Sequence, residues 1–243
     1  MSLRAGLIGI VLGGCGQHRP EMAPLPEVQG RPAPMEEART LLAELRRHAH
    51  SHPSWKAVHS LTLDDRRNAR HAKMRGVLLV LRPDRFRLRL LGPADVTAMD
   101  LTYVAGRYRL EIAGKAPFVG ADASRETRLP VAAMAEAFLR SWEGEAAGLW
   151  AGPARRRLAV SAPGGGRLIV ILPAARPEPL AESFRRRSVE ELRVTYGDYR
   201  SVGAARLPNR ISMYLPDRNL AAHVLVERYE LDPTVPDGAF EIP

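Results

Sequence analysis

The sequence predicts a mainly β protein with two helices, and three observations lead to that prediction. For about a hundred residues beyond position 50, apolar and polar side chains alternate with the period of two that is typical of half-buried strands. Short turns rich in glycine, proline and aspartate separate these runs. Two further segments have the 3.6-residue period of amphipathic helices. We therefore expect an antiparallel sheet of about nine to eleven strands, curled to protect its edges, with the helices in its concavity.

The first predicted element is a helix over Met35 to Arg47. Acidic residues lie in its first turn and basic residues in its last, which suits the helix dipole. Its apolar stripe, formed by Ala38, Leu41, Leu42 and Leu45, needs a partner surface.

The clearest predicted strand runs from Arg85 to Leu90, where arginine and apolar residues alternate strictly. Three neighbouring runs continue it as an antiparallel meander: Val77 to Leu81, Thr97 to Tyr103 and Gly106 to Ile112. The alternation directs one apolar set, free of acidic and basic groups, to the inward face. Its members are Phe86, Leu88, Leu90, Met99, Leu101, Tyr108, Leu110 and Ile112.

A second helix is predicted over Pro130 to Trp142, with proline in its first turn and apolar residues at helical spacing. Met134 and Phe138 lie on its apolar stripe. The remaining predicted strands are Trp55 to Leu63, Arg157 to Val160, Leu168 to Leu172, Val189 to Tyr196, Arg210 to Leu215 and Ala222 to Leu231.

The N-terminus has the pattern of a bacterial lipoprotein signal. Arg4 precedes an apolar run over Ala5 to Leu12, and Leu12-Gly13-Gly14-Cys15 matches a lipobox, which predicts a signal peptide over residues 1–14 and lipidation of Cys15. The apolar run is about half the ~20 residues that a membrane-spanning helix needs. The alternatives are cleavage by the ordinary secretory peptidase and a buried, unmodified thiol.

Residues 15–34 contain five prolines and few bulky apolar groups, so we expect an extended tether. Residues 35–243 then form one domain, expected to be monomeric. Two or more acyl chains on Cys15 would hold the protein stably to a membrane. Among bacterial lipoproteins, a residue such as Gly16, which is not aspartate, favours the outer membrane over the inner one.

The formal net charge of +9 would favour nucleic acid in a cytosolic protein, but the signal directs this chain to a compartment without nucleic acid. The arginine triplets at residues 155–157 and 185–187 are then either solvated or in contact with anionic lipid headgroups.

We expect no enzyme activity, no cofactor and no metal. The chain has no Gly-x-Ser-x-Gly elbow, no His-Glu-x-x-His pair and no phosphate-binding glycine loop. The carboxylates of Asp64 and Asp65 are expected to be solvated on a turn. Metal binding by His48, His50 and His52, with His59 and His71 nearby, is the alternative to exposure at a helix end.

The order of these elements resembles the LolA/LolB group, the periplasmic carrier and outer-membrane receptor for lipoproteins. The resemblance rests on the run from Met74 to Pro93, on Leu129-Pro130-Val131 opening a helix, and on the proline-bracketed Phe240 in the tail from Tyr229 to Pro243.

This resemblance implies a half-open β-barrel whose concave face, covered by helices, holds acyl chains of lipoproteins or other lipids. The implied cavity residues are the eight inward side chains together with Met134 and Phe138, and an implied partner is a periplasmic lipoprotein carrier. Alternatively, the same residues form a filled core and the protein is a structural or interaction module of an envelope complex. The receptor's exposed apolar loop residue has no counterpart in Gly92-Pro93-Ala94, where nothing bulkier than Ala94 precedes Asp95.

Overall fold

The computed structural model describes residues 24–121, 131–139, 142, 144–162 and 165–242. Its elements are β1 (Arg31–Pro32), α1 (Met35–His50), β2 (Ser54–Asp65), β3 (Arg70–Leu81), β4 (Arg85–Leu91), β5 (Thr97–Val104), β6 (Arg107–Ile112), β7 (Phe118–Ala121), α2 (Val131–Leu139), β8 (Glu145–Ala151), β9 (Arg155–Ala162), β10 (Gly166–Pro173), β11 (Ala181–Arg186), β12 (Val189–Val202), β13 (Ala205–Leu215) and β14 (Leu220–Leu231). The predicted signal peptide and the predicted lipidation site Cys15 lie outside the described residues.

All fourteen described strands belong to one antiparallel sheet, with the order β1-β8-β9-β10-β11-β12-β13-β14-β2-β3-β4-β5-β6-β7. The pairing of β14 with β2 joins the C-terminal half of the chain to the N-terminal half. In the described structure β1 and β7 are the two edges, so the sheet is not closed and the fold is the expected half-open barrel. No helix in this part of the chain is long and apolar enough to cross a bilayer.

The sheet has more strands than the nine to eleven that were expected. The four strands that were not predicted, β1, β7, β8 and β11, lack a recognisable local pattern. β1 has two residues and β7 has four, which is too short for a periodic pattern. The segments EAAGLWA of β8 and AESFRR of β11 do not alternate clearly. Their positions come from pairing with neighbouring strands, which a local pattern does not contain.

The predicted inward face is confirmed by the register of β3 to β6. Leu78, Leu88, Leu101 and Leu110 lie directly opposite one another across these four strands and are buried. We call the side of the sheet that carries them the inner face, and the opposite side the outer face. The arginines of β4 lie on the outer face, as the alternation predicts.

Both helices cover the inner face, at different places. The stripe of α1, including Leu41 and Leu45, packs with Leu158 and Val170 of β9 and β10. α2 instead contacts β3 and β4. The two helices therefore cover different parts of the inner face.

Residues 24–34, the end of the predicted tether, lie against the sheet instead of standing off it. Leu25 and Val28 pack on Ile169 and Ile171, which point to the outer face of β10. β1 pairs with β8, and the Ala33 amide donates to the Leu149 carbonyl at 2.9 Å. Two apolar side chains suffice to dock this segment because the sheet supplies an apolar strip and an open strand edge.

Candidate functional site

The structure brings the ten predicted cavity residues together. Eight are buried in one apolar cluster: Phe86, Leu88, Leu90, Leu101, Tyr108, Leu110, Met134 and Phe138. Met99 and Ile112 pack against its edge and are partly buried. These ten residues come from three strands of the meander, β4 to β6, and from α2.

Aromatic contacts seat α2 on this surface. The ring of Phe138 meets that of Phe86 edge-on, with centroids 5.5 Å apart, and Phe86 stacks on Tyr103 at 5.1 Å. Such pairs contribute about 0.5–1.5 kcal/mol beyond area burial. Phe86 has no exposed area, so α2 occupies the space that a ligand would need.

Two cavities on the inner face are small. One of about 10 Å³ lies near Ala137, Leu168 and Phe184. A second of about 30 Å³ lies at the C-terminal end of α1, near Trp55 and Arg82. A water needs roughly 10–15 Å³ of such space, so neither cavity can hold an acyl chain while α2 is seated.

Arg82 ties the C-terminal ends of the two helices together. Its Nε donates to the carbonyl of Leu139, the last residue of α2, at 3.0 Å. Its Nη1 donates to the carbonyls of Ala49 and of His52, the latter at 3.0 Å. A cation suits carbonyls that a helix end leaves unpaired. Arg82 lies between two predicted strands, and no local pattern in the sequence marks this role.

His59 is a buried polar residue on the mainly apolar inner face. It lies opposite Gly76 on β3 and is 2% exposed. A Cβ on Gly76 would come within 3.0 Å of His59 Nε2, so the glycine makes room for the ring. Burial lowers the pKa of His59 below its usual value. Alternation through the predicted strand Trp55 to Leu63 could have placed His59 on this face.

The turn between β4 and β5 carries an apolar side chain that the sequence analysis did not consider. Val96, directly after Asp95, is 63% exposed. The Gly92 amide donates to the Val96 carbonyl at 2.8 Å, so Val96 belongs to the turn. The turn therefore offers a bulkier group than Ala94.

The other polar candidates are dispersed. Asp64 is not solvated as expected: it is 1% exposed and accepts from Arg66 Nε at 3.2 Å, while Asp65 accepts from Asn68. His52 Nδ1 lies 3.7 Å from an Asp232 carboxylate oxygen. In the part of the chain that the structure describes, no three His, Cys, Asp or Glu side chains form a group suited to a metal ion.

The sequence matches no protein-family model and no curated protein. Solved structures do match. A putative outer membrane lipoprotein-sorting protein domain from Vibrio parahaemolyticus is 12% identical, with a TM-score of 0.61 over 85% of this chain and 97% of that one. A LolA superfamily protein from Nitrosomonas europaea is 11% identical, with a TM-score of 0.63 over 84% and 97%.

The chain has a LolA-like fold. A DUF1329 family protein from Desulfovibrio piger is also similar in structure to this chain, at 8% identity and a TM-score of 0.66 over 86% of this chain and 97% of that one. At these identities the likeness concerns the fold alone.

Proposed function

We propose that this protein is a lipid-anchored, non-catalytic envelope protein that binds acyl chains of lipoproteins or other lipids on its inner face. Its role would be lipoprotein localisation or envelope lipid handling at the outer membrane, with a soluble periplasmic lipoprotein carrier as a partner. The name of the Vibrio relative, a lipoprotein-sorting domain, supports the role. The lipobox at Cys15 supports the anchor.

One observation carries the proposal. A continuous apolar surface on β3 to β6 is covered by α2, of which the structure describes nine residues, and the carbonyl of the last of these accepts from the side chain of Arg82. If α2 swings away, the strands beneath it keep their pairing and expose an apolar trough. An acyl chain entering it would gain about 0.8 kcal/mol per buried methylene, which offsets the loss of the α2 contacts.

Acyl binding is tested with the full chain carrying Cys15→Ser, which is free of its own lipid. We expect saturable binding of a fluorescent fatty acid at micromolar concentration. Met99→Asp puts a carboxylate at the partly buried edge of the apolar surface and should weaken binding at least tenfold, because a charge resists transfer into an apolar site. Val96→Asp is the matched control, since it adds the same charge three residues away on the exposed turn.

A filled core is the second candidate, and the small cavities favour it. In that case the protein is an interaction module that uses the fold without a ligand. Absence of saturable probe binding by the Cys15→Ser chain would reject acyl binding and leave the interaction module.

The anchor has its own test. Cys15→Ser should abolish metabolic labelling of the protein with a fatty acid, because the thiol is the attachment point. Undiminished labelling would reject the lipoprotein assignment.

Substitution of Val96 tests whether the protein acts as a receptor or as a carrier. By the LolA/LolB resemblance, a receptor engages membrane lipid with an exposed apolar loop residue, and Val96 has the exposure for this contact. Val96→Glu should slow delivery of a bound acylated peptide to vesicles without changing its affinity. Val189→Glu, at a 56% exposed position, should leave delivery unchanged. Equal delivery by both variants would indicate a carrier-like protein.

A further inference from the structure

The N-terminal segment over residues 24–32 leaves the folded body from its outer face. Leu25 and Val28 pack on the apolar strip of β9 to β11. Close backbone contacts hold the segment in place: a Cβ on Gly30 would lie 2.7 Å from the Ala151 carbonyl, and one on Gly152 would lie 2.3 Å from the Gln29 oxygen. We call this docked segment the strap.

The strap leaves little free chain between the body and the anchor. Cys15 and Pro24 are nine residues apart, which spans at most about 30 Å when fully extended. A body of this size is about 40 Å across. Because so few residues separate Cys15 from Pro24, the surface where the strap begins is held close to the bilayer in which the anchor is inserted.

Four arginines of that region form no ion pair with a carboxylate among the described residues, although Arg185 is near enough to Glu190 to help lower the pKa of that carboxyl. The four arginines point to the outer face of β9 to β11: Arg155, Arg157, Arg167 and Arg185. The pairing shows this, because Arg157 lies opposite the outer-face residue Ile171, and the other three have the same orientation in their strands. Instead of pairing with a carboxylate, Arg157 stacks over Trp150 at 4.2 Å.

The outer face of β2 to β6 is different. Most of its basic side chains are neutralised locally in ion pairs: Lys56 with Glu230, Arg75 with Glu227, Arg87 and Arg89 with Asp100, and Arg109 with Glu111. Ion pairs thus neutralise less of the positive charge where the strap emerges than on the outer face of β2 to β6, and unpaired positive charge attracts an anionic lipid surface within a Debye length.

We propose that the strap and the outer face of β9 to β11 form the surface on which the anchored protein rests against an anionic bilayer. The inner face and α2 then point away from the membrane, towards the aqueous space from which a soluble partner would arrive. This inference rests on the lipid anchor of the proposed function, but not on acyl binding by the inner face.

The orientation can be measured on the full lipidated chain in vesicles, because Cys15 is the only cysteine and is blocked by lipid. A fluorophore is attached through Ser161→Cys, at an exposed outer-face position of β9, or through Leu225→Cys, at a 49% exposed outer-face position of β14. Quenching by nitroxide-labelled lipid headgroups reports proximity. We expect quenching at position 161 to exceed that at 225 at least threefold on phosphatidylglycerol-containing vesicles.

Charge variants test the cause. Combining Arg155→Gln, Arg157→Gln, Arg167→Gln and Arg185→Gln should remove the difference between the two positions. Combining Lys73→Gln, Arg107→Gln, Lys115→Gln and Arg200→Gln removes as many exposed charges elsewhere and should preserve it.

Equal quenching at positions 161 and 225 in the unsubstituted chain would overturn the orientation, as would an equal effect of the two charge variants. Flotation with phosphatidylcholine vesicles checks the anchor separately. A chain that fails to float lacks the anchor, which overturns both the anchored part of the proposed function and the orientation. A chain that floats but shows no positional difference overturns the orientation alone.

Discussion

The two helices cover the same face of the sheet, yet they are built differently. α1 has sixteen residues and buries Leu41, Leu42 and Leu45, each at most 3% exposed, against β8 to β10. α2 has nine residues and contacts β3 and β4. The Arg46 side chain further ties α1 to the Trp142 carbonyl, at 2.7 Å from Nη2. This difference indicates that α2 can leave the sheet at a lower cost in free energy than α1.

The described part of α2 is nine residues long, and a helix shorter than about 12–15 residues is marginal by itself in water, so the stability of this part comes from docking. Removing α1 would instead expose the separate cluster that it forms with three strands. We therefore regard α1 as part of the core and α2 as the element that competes with a ligand.

The largest expected effect separates the helices directly. Leu45→Asp buries an unpaired carboxylate at a position without exposed area and should cost several kcal/mol, enough to unfold most of the protein. Met134→Asp on α2 should cost no more than the docking of that helix, because α2 can detach. Denaturant titration of both variants measures the difference, and equal losses would mean that α2 is as integral as α1.

An intermediate effect is expected at Arg82. Arg82→Gln removes donors to three carbonyls and should lower stability by about 1.5–3 kcal/mol while raising acyl-probe affinity, since the seated state of α2 is weakened. Arg85→Gln, which changes a neighbouring half-exposed arginine on the outer face, should alter neither quantity. Loss of probe affinity in Arg82→Gln would contradict competition between α2 and the ligand.

The smallest expected effect is a pH dependence of stability caused by two histidines, the buried His59 on β2 and the partly buried His223 on β14. Burial lowers the pKa of His59 and of His223, which keeps both neutral in the folded protein. Their contribution to stability is complete above the unfolded pKa of 6.5 and decreases as pH falls below it. His59→Gln should therefore shrink the loss of melting temperature between pH 7 and pH 5, by about 3 °C or less.

His223→Gln should remove a separate part of the same loss, and the two changes should add. The carboxyl group of Asp100 contributes to the pH dependence of stability only under more acidic conditions. Burial raises its pKa, but hydrogen bonds from Arg87 and Arg89 outweigh this and hold the pKa below its usual value. If the melting temperature of His59→Gln falls between pH 7 and pH 5 as much as that of the unsubstituted protein, burial of His59 does not contribute to the loss of stability at low pH.

Sequence periodicity predicted the inner face well, because alternation is a local property of a strand with one buried side. It placed Phe86, Leu88 and Leu90 inward and the arginines of β4 outward. It did not reveal that Arg87 would pair with Asp100, which is 7% exposed, because that contact joins two strands. Similarly, Asp64 was expected on a solvated turn and is buried at the end of β2.

The sequence by itself determined the mainly β class, the stripe of α1, the apolar surface of β3 to β6 and the lipobox, since each depends on residues close together in the chain. Only the tertiary structure decided that β14 pairs with β2, that Arg82 joins the two helix ends and that the strap docks on the outer face. These contacts join residues far apart in sequence. Their free energy depends on the shape of the partner surface, which a local pattern does not contain.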